Sequence, residues 1–372
     1  MKINHHNLPE HALGGQRRLT SFHFGQRGVG KKIYLQASLH ADEVPGMLVL
    51  HYLKRLLCQA ERQGDIRSEI VVVPIANPIG LAQVLLNGGV GRFDLVSGGN
   101  FNRDFPDLAQ RVRDSLLAQS FSDASDYRQR VRSAMIAALG AMPIRSEVAA
   151  LRQQLLLLAC DADLVLDLHC DDQAILHMYA DPAYRQQAEI LARFMDIGTV
   201  LLSQDSGGGS FDEACGLPWH RLVASQTEWR QFGLGCMAVT LELRGQQDVS
   251  HALASNDAGR LYRYLQYYGA IGGEPPVVPE QETLMLPFSA GEIVRAPASG
   301  ILLLLRQPGD WVDAHEIVAE VIDPLTDTVT AVYAQAGGLI YACRSAPFVT
   351  LGAEIAKIAG KTPYAGGGGL AA

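Results

Sequence analysis

The sequence predicts an α/β protein, a parallel or mixed sheet flanked by helices over residues 1–272, followed by a small all-β module. Three observations point there. Continuous apolar runs of strand length at 70–75 (IVVVPI), 164–168 (LVLDL) and 237–243 (MAVTLEL) alternate with segments of helical spacing. A Pro/Gly-rich linker then intervenes over 273–283. Beyond it come short apolar stretches split by turn signals, at 292–295, 300–305, 316–322, 328–334 and 339–342. The length of 372 residues suits about two domains at ~150 residues each.

In chain order, the N-terminus with His5, His6 and His11 reads as a polar arm. Residues 32–39 (KIYLQASL) form a strand that ends at His40-Ala41-Asp42-Glu43, and Pro45 suits the first turn of a helix. Met47, Leu48, Leu50, Leu53, Leu56 and Leu57 keep helical spacing, with His51 among them as an ordinary helix residue. Asn77-Pro78 stops the strand at 70–75. A helical insert occupies about 107–160, rich in Gln, Arg, Ala and Leu. It is expected either to cap a pocket or to make a contact in a homo-oligomer. The strand at 164–168 runs into His169, and further helices are expected at 182–194 and 254–268. The β-module spans 284–360, and the glycine-rich end, 361–372, is expected to be a disordered tail.

Composition excludes several function classes. Lys+Arg total 31 against 39 Asp+Glu, a net charge of −8 without a basic block, which argues against a nucleic-acid or anionic-membrane binder. With 48% hydrophobic and 19% charged residues, global disorder is excluded. The longest apolar runs, 155–160 and 301–305, fall far short of the ~20 residues a membrane helix needs. The N-terminus lacks the apolar core of a secretory signal, and the six cysteines contain no C-x-x-C pair. Reduced thiols in a cytoplasmic protein are the expectation.

Chemistry-bearing residues collect at the ends of predicted buried strands, where α/β sheets place their sites. They are His40-x-x-Glu43, His169 with Asp167 before it, and Glu242. Two histidines and one carboxylate leave a fourth zinc position open, the ligand count of a catalytic site. A separate carboxylate then serves as proton acceptor and donor. Singly, each piece is weak: H-x-x-E is common by chance, and a lone strand-end histidine is often a core residue. Glu242 is harder to dismiss, because an ionised carboxylate is costly to bury without a partner. A fourth element strengthens the set. Residues 99–106 (GNFNRDFP) follow the glycine-rich stretch 88–91 and Arg92. The planar guanidinium of Arg103 matches a carboxylate bidentately, with Asn102 beside it. Arg92 is then available to face an oxyanion. The glycine runs at 88–91 and 207–209 lack the Lys-Ser/Thr of a phosphate loop.

The order His40-x-x-Glu43, Asn102-Arg103, His169, Glu242 resembles the zinc carboxypeptidase superfamily, most of all its succinylglutamate desuccinylase/aspartoacylase branch, over about 33–272. The gaps of 126 residues from Glu43 to His169 and 73 from there to Glu242 have that branch's size. The resemblance implies a zinc-carboxypeptidase-like mixed sheet and one zinc ion per subunit on His40, Glu43 and His169. It further implies Glu242 as general base and acid, Arg92 at the oxyanion, and Asn102 and Arg103 on the substrate carboxylate. The loop at 206–216 (SGGGSFDEACG) resembles a mobile substrate-side lid. Asn100 departs from the pattern, standing where many carboxypeptidases carry an aspartate that orients a ligand histidine. The trailing module resembles a lipoyl-like barrel sandwich. The only lysines after residue 272, Lys357 and Lys361, lie outside predicted hairpin turns, so no swinging cofactor is expected.

The implied activity is zinc-dependent hydrolysis of the amide bond of a small N-acyl amino acid. A metallocarboxypeptidase releasing C-terminal residues, and a non-catalytic binding protein with a decayed site, are the alternatives. The insert at 107–160 and the β-module are both expected to help close the pocket, which favours the deacylase. His177 is a candidate to reach the pocket. Asp171 and Asp172 read as capping or solvated residues rather than ligands of a second metal.

Overall fold

The computed structural model describes residues 1–362; the expected disordered tail lies, from residue 363 on, outside the described residues. The strands of the large sheet are β1 (Lys2–Asn7), β2 (Arg18–Phe24), β3 (Lys32–Ala37), β4 (Glu69–Val73), β7 (Leu164–Asp171), β9 (Leu176–Ala180), β10 (Thr199–Leu202), β11 (Met237–Gly245) and β12 (Leu284–Pro287). Two-residue strands β5 (Val84–Leu85) and β6 (Gly88–Gly89) make a small hairpin, and β8 is Gln173–Ala174. The helices are α1 (Pro45–Gln63), α2 (Pro78–Leu81), α3 (Leu108–Leu117), α4 (Ala124–Gly140), α5 (Glu147–Ala159), α6 (Arg185–Met195), α7 (Phe211–Ser225) and α8 (His251–Tyr267).

The nine-stranded sheet runs β1-β2-β4-β3-β7-β11-β9-β10-β12. Its centre, β4-β3-β7-β11, is parallel, and β9 enters antiparallel to β11. Side chains alternate across it. Tyr34, Val71 and Val73 face a core built with α3, α4, α5 and α7. Ile33, Leu35, Ile70 and Val72 face a second core built with α1, α6 and α8. This two-sided burial is why the central strands read as unbroken apolar runs. Local chemistry sets the helix starts: Pro45 opens α1, while Asp107, Asp123 and Ser146 accept backbone N–H bonds at the starts of α3, α4 and α5.

Two expectations need correcting. The N-terminal residues are not a loose polar arm: they form the β1–β2 hairpin at the sheet edge, with His5 Nδ1 3.1 Å from Thr20 Oγ1 and His6 Nε2 2.9 Å from Ser21 Oγ. A strand with one solvent-facing side and polar residues carries little apolar signal. In addition, β12, expected within the β-module, extends the large sheet beside β10 in parallel register.

The module itself comprises β13 (Gly291–Arg295), β14 (Gly300–Leu304), β15 (Trp311–Val312), β16 (Ile317–Asp323), β17 (Thr328–Tyr333), β18 (Gly338–Cys343), β19 (Phe348–Val349) and β20 (Glu354–Ala359). They form two antiparallel sheets, β13-β20-β18-β15 and β17-β16-β14-β19, around a core that includes Val312, Val321, Ile340 and Ile358. The module is stitched to the large sheet. β8, which continues from the strand carrying His169, pairs with β18, and Asp172 accepts a 2.9 Å bond from Ser345 N. All six cysteines are free. Among the described residues, no helix is long and apolar enough to cross a membrane.

Candidate active site

The strand ends bring the separated motifs together. β3 leads through Ser38, in the left-handed region at φ 64°, to His40 and Glu43. β7 delivers His169, and the adjacent β11 sets Glu242 opposite it in register. Ligand atoms of His40, Glu43 and His169 all lie within 4.8 Å of one another, and all three residues are buried. Among the described residues this is the one group of histidine, cysteine and carboxylate side chains so arranged. Glu43 Oε1 lies 2.9 Å from His40 Nδ1, and its Oε2 2.8 Å from His169 Nδ1. Cys170 N donates to Oε2 at 3.1 Å.

The electrostatics suit a cation. Burial by itself would raise the Glu43 carboxyl, but the charge and hydrogen bonds of the two imidazoles hold it well below the usual carboxylate range. Burial lowers His40, with Glu43 opposing. Burial would also lower His169, yet Asp167 and Glu43 hold it well above the ordinary value. Two nitrogens and one anionic oxygen facing a common point are a donor set that fits a divalent transition metal with a coordination position left open. The outer contacts are in place: His40 Nε2 lies 2.9 Å from Asn100 Oδ1, and His169 Nε2 3.0 Å from Asp167 Oδ2. Asp167 is itself held by Gln36 Nε2 at 3.0 Å.

The cluster opens into a pocket of about 300 Å³ that also contains Glu242, Arg92, Asn102 and Arg103. Burial, followed by the charge of Glu43, raises the Glu242 carboxyl to about 8. Arg92 Nη1 lies 3.2 Å from Glu43 Oε1 and 3.3 Å from His40 Nδ1. Asn102 is partly committed to the fold, its Oδ1 accepting from Phe211 N at 2.8 Å at the start of α7. Arg103 Nη1 donates to Asn102 O at 2.8 Å.

Two glycines make this packing possible. A Cβ on Gly91 would sit 2.6 Å from Asp42 N, inside the His40–Glu43 loop, so the run at 88–91 serves close backbone approach. A Cβ on Gly208 would meet Arg103 Cδ at 2.6 Å. The loop at 206–210 thus lies directly on Arg103, and two backbone bonds hold it there: Asp104 N to Gly208 O (2.9 Å) and Phe105 N to Gly209 O (3.0 Å); the rest of the expected lid, 211–216, is the start of α7.

Of the two expected closures of the pocket, only one is observed. No residue of 107–160 lines it; α3, α4 and α5 pack into the core on one face of the sheet. The β-module closes it, contributing Glu292, Arg295, Tyr341, Glu354 and Lys357. Asp171 is neither a cap nor solvated, since it pairs with Lys357. Burial would lower the Lys357 ammonium, but Asp171 raises it above the ordinary lysine range. His177 does not reach the pocket: it is buried in β9, with Nδ1 2.9 Å from Ile175 O. That the module helps close the pocket was expected; which of its residues do so was not, because strand residues such as Lys357 carry no local motif. The sole available signal was a lysine in an apolar strand.

Fold and site together define a mixed α/β protein with a candidate metal centre at the strand ends of its sheet. The chain belongs to the succinylglutamate desuccinylase/aspartoacylase family, whose catalytic-domain model matches residues 29–268. It is 25% identical over 346 residues to the N-alpha-acetyl-L-2,4-diaminobutyric acid deacetylase of Halomonas elongata, covering 90% of this chain and 83% of that protein. A crystal structure of a family member from Shewanella amazonensis is 26% identical with a TM-score of 0.84, covering 96% of this chain and 98% of that one. The ectoine utilization protein EutE of Ruegeria pomeroyi shares the fold, at 16% identity and a TM-score of 0.67 over 96% of this chain and 95% of that one.

Proposed function

We propose that this protein is a zinc-dependent hydrolase of the amide bond of N-acyl amino acids. The observation that carries the reading is the convergence of His40, Glu43 and His169 on one point, in a pocket that also holds Glu242 and two arginines. The name of the Halomonas relative, a deacetylase of an N-acetyl amino acid, supports the same class.

His40, Glu43 and His169 hold the metal, which supplies Lewis acidity toward the amide carbonyl and toward water. Arg103, with the amide of Asn102, binds the substrate carboxylate. Glu242 takes a proton from the attacking water and returns it to the departing amine. Arg92 faces the oxygen on which negative charge develops. The β-module and the loop at 206–210 exclude bulk water.

The size of the pocket favours a deacylase over a carboxypeptidase. About 300 Å³, walled by Tyr341, Glu354 and Lys357, suits a small acyl amino acid rather than a peptide chain. A hydrolysis screen on the zinc-loaded protein tests this, with N-acetyl, N-succinyl and longer N-acyl amino acids beside blocked dipeptides. Turnover of the N-acyl amino acids is expected; turnover of the dipeptides alone assigns the peptidase reaction instead.

A further inference from the structure

Glu242 has a buried Oε2 without a hydrogen-bond partner, so the backbone of β11 does much to set the direction of its carboxyl. That backbone is irregular immediately after it. Glu242 pairs with His169, but the next pairing with β7 is Gly245 with Asp171, so one strand advances three residues while the other advances two. The extra residue makes a β-bulge, a device that re-aims side chains beside active sites. Arg244 sits in the bulge at φ 64°, in the left-handed region that non-glycine residues rarely adopt.

A side-chain tether accompanies this conformation. Arg244 Nη2 donates to Asp257 Oδ2 on α8, and Asp257 is 1% exposed. Arg260 Nη1 lies 3.7 Å from the other carboxylate oxygen. Past the bulge the chain is fastened to both metal-ligand segments. Gln246 N donates to Asp172 O at 3.2 Å, and Gln246 Nε2 to Asp42 Oδ2 at 3.3 Å, Asp42 lying between His40 and Glu43. Gly245 N donates to Asp248 Oδ2 at 2.9 Å. The turn that ends β11 therefore fixes Glu242 relative to the His40–Glu43 loop and the end of β7.

We propose that Arg244, through its ion pair with Asp257, is a positioning residue for Glu242. Its catalytic consequence rests on the reading of Glu242 as the general base. Arg244→Gly removes the tether while allowing the left-handed backbone, and Arg260 stays beside Asp257, so the variant is expected to fold. The measurements are kcat and KM on an N-acyl amino acid that the wild type hydrolyses, zinc content, and crystal structures of both proteins. We expect kcat to fall about 10²-fold, as misplacement of a catalytic group by about 1 Å does, with KM and zinc content unchanged and the Glu242 carboxylate displaced. Arg244→Lys keeps a cation near Asp257 and should recover most of the loss. An unchanged kcat, or a Glu242 carboxylate that superimposes on the wild type, overturns the proposal. A wild type that hydrolyses none of the N-acyl amino acids defeats the functional reading instead, and the crystal structures then decide the positioning by themselves.

Discussion

The strand-end loops of the large sheet and the trailing β-module both build the pocket, but by opposite means. The strand-end region supplies His40 and Glu43 from the turn after β3, and His169 and Glu242 from near the C-terminal ends of β7 and β11. The module supplies Tyr341, Glu354 and Lys357 from the middle or edge of ordinary antiparallel strands, carried there by docking through β8 and Asp172. The candidate site's side chains are thus encoded locally, and enclosure is encoded by the fit of two surfaces. On this division, changes in the loops should abolish chemistry in a folded protein. Changes in the module should act on stability and on how the substrate is held.

The sharpest break with this division would come from the proposed metal ligands. His169→Ala should lose the bound metal and with it all measurable turnover, and chelation of the wild type should do the same, reversed by zinc. One equivalent of metal retained by His169→Ala, measured by atomic absorption, would remove that residue from the ligand set. Next in size is Glu242→Gln, which should keep its metal while kcat falls by about 10²- to 10⁴-fold, the usual worth of general acid–base catalysis. Near wild-type turnover in a metal-loaded variant would take Glu242 out of the mechanism.

On the module side, Lys357→Met should lower kcat far less than Glu242→Gln. It strands the partly buried Asp171 carboxylate, so a loss in chemical denaturation below the roughly 3–5 kcal/mol of a fully buried pair broken from one side is expected. The pH dependence has a definite sign. The Lys357 pKa is raised on folding, so its stabilisation is fully present below the ordinary lysine value of 10.5 and is lost as pH rises above it. The stability gap between wild type and Lys357→Met should therefore narrow above about pH 10.5. A gap that stays constant through that range would show that the pair does not carry the difference.

Legibility follows the same boundary. The strands β3, β4, β7 and β11 were readable as apolar runs because both faces of the sheet are covered, and the site motifs were readable because each follows such a run. The edge strand β1 was not: its exposed, histidine-bearing side has no apolar alternation, and only pairing with β2 makes it a strand. Helices α3, α4 and α5 were legible as helices from composition. Their place was not, because a stripe of Leu and Ala fits the back of a sheet as well as the lid of a pocket.

By itself the sequence determined which residues are chemically able to hold a cation and move a proton, and on which strand ends they stand. Those properties depend on side-chain type and on periodicities of a few residues. Only the tertiary structure decided which surface closes over them, that Asp171 answers Lys357 across 186 positions, and that Arg244, two residues past Glu242, takes the left-handed conformation. Such contacts join residues far apart in the chain, and their energy resides in shape and charge complementarity between separately formed elements. No local pattern records that complementarity before the elements meet.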